Sequence, residues 1–264
     1  MIALMSCAAP EKISVSGSTT VLPPISNSAE AYAAQTGQSI IVNAGGSGAG
    51  FNQLAEGQTD IGMMSRDITA GELAQHAAYQ FTPISIGVDA VAPVVSSEIY
   101  DAGVTALTLS QIASIYKGDV DNWSAFGGPD QPILVIDKEA SSGTRHTFMK
   151  IIAGDSKAAA PGADLVLGAN NEEQTAISQS DSAIGMLSFA WLNEDVRGIA
   201  ILQDGQRIEP SLEAVANGTY PIVRDLVIVV RNDIKPTAQK FVDYVLGPEG
   251  QNFVEDAGYI KINP

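Results

Sequence analysis

Three things are scarce in this 264-residue sequence: cysteine, positive charge and long apolar runs. Cys7 is the only cysteine, which excludes an internal disulfide framework and a metal site built from several thiolates. There are 14 lysines and arginines against 30 aspartates and glutamates, a formal net charge of −16. Because nucleic-acid binding requires a basic face, this balance argues against a nucleic-acid partner. No apolar run approaches the roughly 20 residues that a membrane-spanning helix needs.

The acidic excess also constrains how an anion would be held. At a net charge of −16, long-range electrostatic steering cannot attract an anionic ligand. Such a ligand has to be bound by short, directed hydrogen bonds within a local pocket. Hydrophobic residues make up 45% of the chain and charged residues 17%, which is typical of a folded globular protein with one large domain or two smaller ones.

Cys7 lies in a segment that resembles the cleavage site of a bacterial lipoprotein signal. Leu4-Met5-Ser6-Cys7 follows an apolar start and precedes Ala8-Ala9-Pro10. In such signals the chain is cut before the cysteine, which is then acylated. We therefore expect residues 1–10 to be a signal remnant and anchor segment, with Cys7 as the lipid anchor. The alternative is a chance cysteine near the terminus.

Runs rich in β-branched residues alternate with helical patterns along the chain. The predicted strands are Lys12–Gly17, Ser39–Gly46, Ile84–Val95, Ile133–Lys138, Ala183–Ser188 and Leu226–Arg231. The predicted helices are Ile25–Gln35, Thr144–Ile152 and a segment that opens at Pro236 and ends at Gly247. This alternation predicts an α/β fold with largely parallel sheets.

Three short clusters of serine, threonine and glycine share one arrangement. Residues 16–20, 45–50 and 141–145 each follow a predicted strand and precede a predicted helix. The start of a helix offers unpaired N–H groups, and glycine lets the backbone approach an anion closely. A single cluster of this kind is usually a helix cap. Three together supply donors from several directions, as a tetrahedral oxyanion requires, and Arg145 either adds a charged donor or lies in solvent.

Motifs for other chemistry are missing. Ala49 interrupts the G-x-S-x-G nucleophile motif around Ser47, and no phosphate-loop or dinucleotide fingerprint is complete. His76 and His146 are isolated, without HExxH spacing. Since no nucleophile–base pair is visible, the sequence predicts a binding protein and not an enzyme, with no metal and no cofactor.

At these clusters the sequence resembles the phosphate-binding proteins of phosphate ABC importers, the PstS-type family. The resemblance runs nearly end to end. Its motifs are Gly17–Pro23, Gly46–Gly50, Asp60–Arg66, Thr108–Ser110, Lys117-Gly118, Asn122-Trp123, Ser142–Arg145, Ala183–Gly185, Tyr220–Arg224, Gly247–Gln251 and Ala257–Ile260. Each motif alone is weak, but their order and spacing together are specific.

The resemblance implies an α/β, two-lobed type II periplasmic-binding-protein fold with a central sheet in each lobe and a two-strand hinge. It implies a first lobe of residues 11–90 plus 225–264 and a second lobe of residues 91–224. The crossings are expected near Gly87–Pro93 and Pro221–Leu226. It further implies an extracytoplasmic monomer, cell-surface or periplasmic, that captures inorganic phosphate and delivers it to an ABC permease and ATPase complex.

Carried over by position, the resemblance implies that both lobes contribute to phosphate binding. The expected contacts are Thr19, Thr20, Ser47 and Ser65 from the first lobe and Ser142, Gly143, Thr144 and Arg145 from the second. Two positions depart from the family pattern. Some members have an aspartate, which accepts a proton from phosphate, where this chain has Ser65, and some have an arginine where it has Lys138. The carboxylates near Ser65 that could replace this acceptor are Asp67, Asp137 and Glu139. Asp67 is favoured because it lies closest in sequence to Ser65, unless it only caps the following helix.

Other functions stay open at this point. One alternative is a binding protein for sulfate, molybdate or tungstate on the same fold. A phosphate-handling enzyme, or a sensory or adhesive module that kept the fold without transport, are the remaining alternatives.

Overall fold

The computed structural model describes residues 12–262, so the expected anchor segment with Cys7 lies outside the described residues. The helices are α1 (Leu22–Thr36), α2 (Gly46–Ala55), α3 (Ala70–Gln75), α4 (Ser97–Asp101), α5 (Leu109–Lys117), α6 (Gly143–Ala153), α7 (Asn170–Ser178), α8 (Leu212–Ala216), α9 (Pro236–Leu246) and α10 (Pro248–Asp256). Within the described residues, no helix combines the length and the apolarity needed to cross a bilayer.

Thirteen strands accompany these helices over residues 12–262. They are β1 (Ile13–Gly17), β2 (Ile40–Ala44), β3 (Ile61–Met64), β4 (Phe81–Ser96), β5 (Ala106–Thr108), β6 (Leu134–Lys138), β7 (Leu165–Leu167), β8 (Ala183–Ser188), β9 (Val196–Gly198), β10 (Ala200–Gln203), β11 (Gln206–Ile208), β12 (Val223–Arg231) and β13 (Ile260–Lys261). The six strands predicted from β-branched runs are confirmed, with ends that shift by up to three residues. The three predicted helices are confirmed as α1, α6 and α9.

Two sheets share one long strand. The hydrogen-bonded order is β2-β1-β3-β12-β4-β8-β6-β7. β1 runs parallel to β2 and β3, and β6 runs parallel to β7 and β8. The pairs β12–β3, β12–β4 and β4–β8 are antiparallel. The predicted pair of central sheets is therefore present, and β4 joins them into one continuous path.

β4 connects the halves because it changes partner along its length. Up to Ala90 it pairs with β12, and from Val91 onward it pairs with β8. The expected crossings lie within β4 and around the start of β12. These are the two strands of the hinge.

The core is also divided between the two halves. Of four buried clusters within residues 12–262, one of the two largest includes Ile13 and Phe241, and the other includes Trp123 and Phe148. Each fully buried side chain of this size contributes about 1.5–3 kcal/mol. Along β4 the first cluster ends at Ile86 and the second begins at Ala90. We call the parts built around these clusters the first and second lobes; the boundaries after residues 90 and 224 stay a prediction.

Local sequence explains where the helices start and stop. α1 has proline in its first turn, where the missing N–H costs no hydrogen bond, and it ends at Gly37 with φ of 74°. α6 begins after Ser142, whose hydroxyl caps it, and ends at Gly154 with φ of 75°. These local signals set the ends of both helices.

Candidate functional site

Three serine hydroxyls form a buried group in the first lobe. Ser18 Oγ donates to Ser65 Oγ at 2.9 Å, and the backbone N–H of Ser65 donates to Ser47 Oγ at 3.1 Å. The hydroxyls of Ser47 and Ser65 lie 3.3 Å apart. The end of β1, the start of α2 and the end of β3 thus bring two of the predicted clusters together.

Glycine makes this convergence sterically feasible. Gly17, at the end of β1, has φ of 139°, and a Cβ there would lie 2.1 Å from the carbonyl oxygen of Met63. A Cβ on Gly50 would lie 2.6 Å from the Cα of Gly17. α2 therefore packs directly on the backbone of β1 and β3, which sets its first turn beside the serine group.

The first turn of α6 brings the third cluster against the other two. A Cβ on Gly143 would lie 2.4 Å from Ser65 Oγ and 2.5 Å from Ser47 Oγ. Beside it, the backbone N–H of Gly48 donates to the carbonyl of Ser141 at 3.2 Å. The two lobes are thus in direct contact, which is a closed arrangement.

Arg224, near the start of β12, links this contact to the hinge. Its Nη2 donates to Thr20 Oγ1 at 3.2 Å, and its Nη1 donates to Thr144 Oγ1 at 2.9 Å. Nη1 also points at the carbonyl of Ser65 at 3.4 Å. Nε and Nη2 both donate to Asp89 Oδ2, at 2.9 and 2.7 Å. One guanidinium therefore holds a hydroxyl from each lobe together with a carboxylate of β4.

Asp89 is buried and accepts a further hydrogen bond from Ser188 Oγ at 2.7 Å. Burial raises the pKa of Asp89, while the Arg224 guanidinium and the Ser188 hydroxyl act against that rise. The Asp89 carboxylate balances the charge of Arg224. Because this pair has little net charge, an incoming anion would be held mainly by hydrogen bonds from neutral hydroxyl and amide groups.

Arg145 points away from the hydroxyls. Its Nε contacts both carboxylate oxygens of Asp137, at 3.0 and 2.9 Å, and its Nη2 donates to the carbonyl of Ala158 at 2.8 Å. Lys138, at the other departure from the family pattern, forms a buried ion pair with Glu173. Burial raises the pKa of Glu173, and Lys138 opposes the rise. Both cations are thus paired within the second lobe.

Asn170, the first residue of α7, adds a contact between the lobes. Its Nδ2 donates to Thr20 Oγ1 at 3.0 Å, and its backbone N–H points at Thr19 Oγ1 at 3.4 Å. Asn170 is buried and Thr19 is half-buried. Thr19 and Thr20 are therefore both touched from the second lobe.

The structure brings most of the predicted site residues together at the lobe interface and separates two side chains from them. The residues brought together are Thr19, Thr20, Ser47, Ser65, Ser142, Gly143 and Thr144. Arg145 turns to Asp137, and Asp67 is exposed on a neighbouring cleft of about 350 Å³. The alternative role for Asp67, capping α3, is wrong, because Thr69 Oγ1 accepts the N–H of Glu72 there.

Sequence reasoning assigned no role to Arg224, Asp89 or Asn170. A signal existed for the first two, because each is a charged residue within a run otherwise typical of a buried strand. Buried charges require partners of opposite sign, so these runs predict a pair. Asn170 gave no comparable signal.

Comparison with known proteins agrees with this geometry. Residues 6–249 match the model of the PBP superfamily domain. The phosphate-binding protein PstS of Bacillus subtilis is 31% identical over 95% of this chain and 80% of its own length. A protein from Clostridium perfringens, assigned as a phosphate ABC transporter substrate-binding protein and solved with bound phosphate, has a TM-score of 0.85 at 31% identity, covering 96% of this chain and 100% of its own. An ABC-type phosphate transport receptor from Vibrio cholerae has a TM-score of 0.73 at 30% sequence identity, and the match covers 94% of this chain and 99% of that protein.

Two α/β lobes that meet over a cluster of donors at a two-strand hinge define a substrate-binding protein of the periplasmic-binding type. With these matches, the chain belongs to the PBP superfamily and, within it, to the PstS-type family of phosphate-binding proteins.

Proposed function

We propose that this chain captures inorganic phosphate between its lobes and delivers it to an ABC importer. The observation that carries the proposal is the guanidinium of Arg224, which holds Thr20 of the first lobe and Thr144 of the second at one point. Around it lie the serine hydroxyls and the first turn of α6. Such convergent donors suit a tetrahedral oxyanion, and the family supplies the identity of that anion.

The proposed contacts are the hydroxyls and amides of the two lobes, with Arg224 added from the hinge. They are Thr19, Thr20, Ser47, Ser65, Ser142, Gly143 and Thr144. Arg145 acts on this site through α6, which its pair with Asp137 ties to β6. Asp67 is kept as a candidate proton acceptor only at the edge of the site, because its side chain is exposed.

Binding would favour the closed state, because the donors of the two lobes surround one point only when the lobes meet. A ligand shifts such an equilibrium only by its differential affinity for the two states. The protein would work outside the cytoplasm as a monomer, with the ABC permease and ATPase as its partner and no catalytic step of its own.

Membrane attachment through Cys7 is a further part of the proposal. It rests on the order Leu4-Met5-Ser6-Cys7. A Cys7→Ser protein should move from the membrane fraction to the soluble extracytoplasmic fraction of its host. Continued membrane association of that variant would place the attachment elsewhere.

The test of the main proposal is calorimetric titration of phosphate-stripped protein with phosphate, sulfate and molybdate. Phosphate should bind most tightly, and at about 100 times Kd it should stabilise the fold by about 2.7 kcal/mol. A melting curve unmoved by millimolar phosphate would refute phosphate capture. Tighter binding of sulfate or molybdate would instead support another oxyanion as the cargo.

A further inference from the structure

Asn170 lies where the second lobe reaches the first. It is the first residue of α7, and the side chain is buried. At this position the backbone N–H has no partner within the helix, so it is free to point at Thr19 Oγ1. The side-chain Nδ2 donates to Thr20 Oγ1 at 3.0 Å.

The first turn of α7 is held firmly in the second lobe. Lys138, on β6, forms a buried ion pair with Glu173 and points its Nζ at the carbonyl of Ala169 at 3.4 Å. Glu173 also accepts the backbone N–H of Met186 on β8 at 2.7 Å. Asn170 therefore lies in a turn that is bonded to β6 and β8 of the second lobe, and its contact with Thr20 depends on how the two lobes are placed relative to each other.

The oxygen of Thr20 accepts two hydrogen bonds. One comes from Asn170 Nδ2, and the other comes from Arg224 Nη2 at 3.2 Å. A hydroxyl has two acceptor positions and one hydrogen, so these two donors fill its acceptor capacity. Among the hydrogen bonds within residues 12–262, this hydroxyl accepts two and donates none. The Thr20 hydroxyl is thus left able only to donate.

The backbone of Thr20 is fixed as well. Its N–H donates to Ser18 Oγ at 3.2 Å, and its carbonyl accepts from the hydroxyl of Tyr259 at 2.8 Å. A fixed backbone with a hydroxyl that can only donate suits a ligand oxygen that carries no hydrogen. Because Asn170 and Thr20 belong to different lobes, this state of the hydroxyl is reached only on closure.

We propose that Asn170 is a positioning residue that, on closure, occupies one acceptor position of Thr20 and commits its hydroxyl to donate to the bound anion. The inference rests on the proposed function and deepens it. Asn170 acts through Thr20 and adds affinity without supplying charge. Removing the amide frees the hydroxyl to rotate, so that part of the binding energy is lost in orienting it again.

A double-mutant cycle tests this coupling with inorganic phosphate as the probe. Asn170→Ala and Thr20→Val should each weaken binding by about 10-fold, the value of one or two hydrogen bonds. If Asn170 acts through the Thr20 hydroxyl, adding Asn170→Ala to the Thr20→Val protein should weaken phosphate binding by less than about a further 2-fold, since the effects of coupled residues are not additive. Asn171→Ala, at an exposed neighbouring asparagine of the same helix turn, is the matched control and should bind as wild type does.

Asn170→Asp gives an independent reading. A carboxylate would accept the Thr20 hydrogen, reverse the hydrogen bond and place negative charge beside the anion, so affinity should fall further than in Asn170→Ala. The melting temperatures of the phosphate-free variants identify any general loss of structure. A purely structural Asn170 would lower those temperatures without showing coupling to Thr20.

The outcomes separate this inference from the proposed function. Full additivity of the two substitutions, or wild-type affinity in Asn170→Ala, overturns the inference while phosphate capture stands. If wild type binds sulfate and not phosphate, phosphate capture falls, and the same cycle run with sulfate decides the role of Asn170. If wild type binds neither anion, both proposals fall.

Discussion

Arg224 and Asp89 are directly opposite residues on the two strands that join the lobes. Their Cα atoms are register partners in the β12–β4 pair, and their side chains form a buried ion pair of 2.7 Å between Nη2 and Oδ2. A pair removed from water in this way is costly to break, because the remaining partner stays buried and unpaired. Its position lets the Arg224 side chain contact Asp89 in the hinge, Thr20 of the first lobe and Thr144 of the second.

The first prediction concerns the shape of this cation. Arg224→Lys keeps the charge, but the compact ammonium group of lysine cannot contact Asp89, Thr20 and Thr144 at the same time, as the planar guanidinium does. We expect phosphate affinity to fall about 10-fold or more, as one or two hydrogen bonds are lost. Arg231→Lys, further along the same strand, is the control, since Arg231 pairs at the surface with Asp233. Unchanged affinity in Arg224→Lys, measured by calorimetry, would remove Arg224 from the site.

Sequence reasoning recovers the framework better than the site. The strands could be predicted because β-branched runs such as Ala183–Ser188 are local patterns, and that strand was predicted to the residue. The clusters at Ser47 and Ser142 could be predicted because a loop before a helix is equally local.

The remaining contacts join distant positions, and no local pattern specifies them. Arg224 and Thr20 are 204 residues apart in sequence, and Asn170 and Thr20 are 150 apart. The direction of the Arg145 side chain could not be predicted either, because it depends on Asp137, a neighbour across the turn between β6 and α6. Choosing between solvent, ligand and carboxylate requires the packed structure.

Gly143 should be essential for closure. In Gly143→Ala the added methyl group would fall within 2.5 Å of two serine hydroxyls, and it would also lie 2.9 Å from the carbonyl carbon of Ser65. That backbone contact cannot be relieved by rotating a side chain. We expect the affinity for phosphate to fall about 10- to 100-fold, because overpacking commonly costs about 1–3 kcal/mol.

The open protein should remain folded, since the clash arises only between lobes. Small-angle X-ray scattering should show Gly143→Ala staying extended in phosphate while wild type contracts. Gly71→Ala is the control, because its nearest neighbour would be 4.0 Å away. A Gly143→Ala protein that closes and binds normally would contradict the observed packing.

Ser142 and Thr144 should behave differently when their hydroxyls are removed. Ser142 Oγ accepts the backbone N–H of Arg145, so Ser142→Ala should cost about 1 kcal/mol of unfolding free energy as a lost cap. Thr144 does not cap α6 and accepts from Arg224. Thr144→Val should therefore leave stability nearly unchanged while reducing affinity by about 10-fold. Urea unfolding and calorimetry on both variants separate the two roles; equal effects in both assays would contradict the assignment.

His146 predicts a dependence of stability on acidity. Burial, followed by the nearby Arg66 and Lys150, lowers the pKa of His146 below its ordinary 6.5, although Asp67 and Glu72 act in the opposite direction. The unfolded chain therefore binds a proton more readily than the folded one, and the folded state loses stability as pH falls below about 6.5. His146→Gln should remove that part of the decline between pH 7 and 5 in urea unfolding. Parallel curves for the two proteins would show that His146 is not responsible.

Selectivity against sulfate should be weak in this protein. Phosphate at neutral pH carries a proton and sulfate does not. A buried, unpaired carboxylate would therefore accept a hydrogen bond from phosphate and repel sulfate. The buried carboxylates of Asp89 and Asp137 are instead held by Arg224 and Arg145, and Asp67 is exposed. A polar site built for such rejection reaches about 10⁴–10⁵-fold. We expect the preference of this protein for phosphate over sulfate to be far smaller than that. Asp67→Asn should change the ratio of the two affinities little.

Ser65 is the position at which rejection could be introduced. Its hydroxyl accepts from Ser18 and lies 3.3 Å from the hydroxyl of Ser47, and either Ser65 or Ser47 can be the donor in that second contact. Such a pair can rotate to suit an anion with or without a proton. Ser65→Asp would replace it with a fixed acceptor, so sulfate binding should weaken far more than phosphate binding does. Competition titrations on wild type, Asp67→Asn and Ser65→Asp measure this ratio. Strong rejection of sulfate by wild type that disappears in Asp67→Asn would instead identify Asp67 as the acceptor.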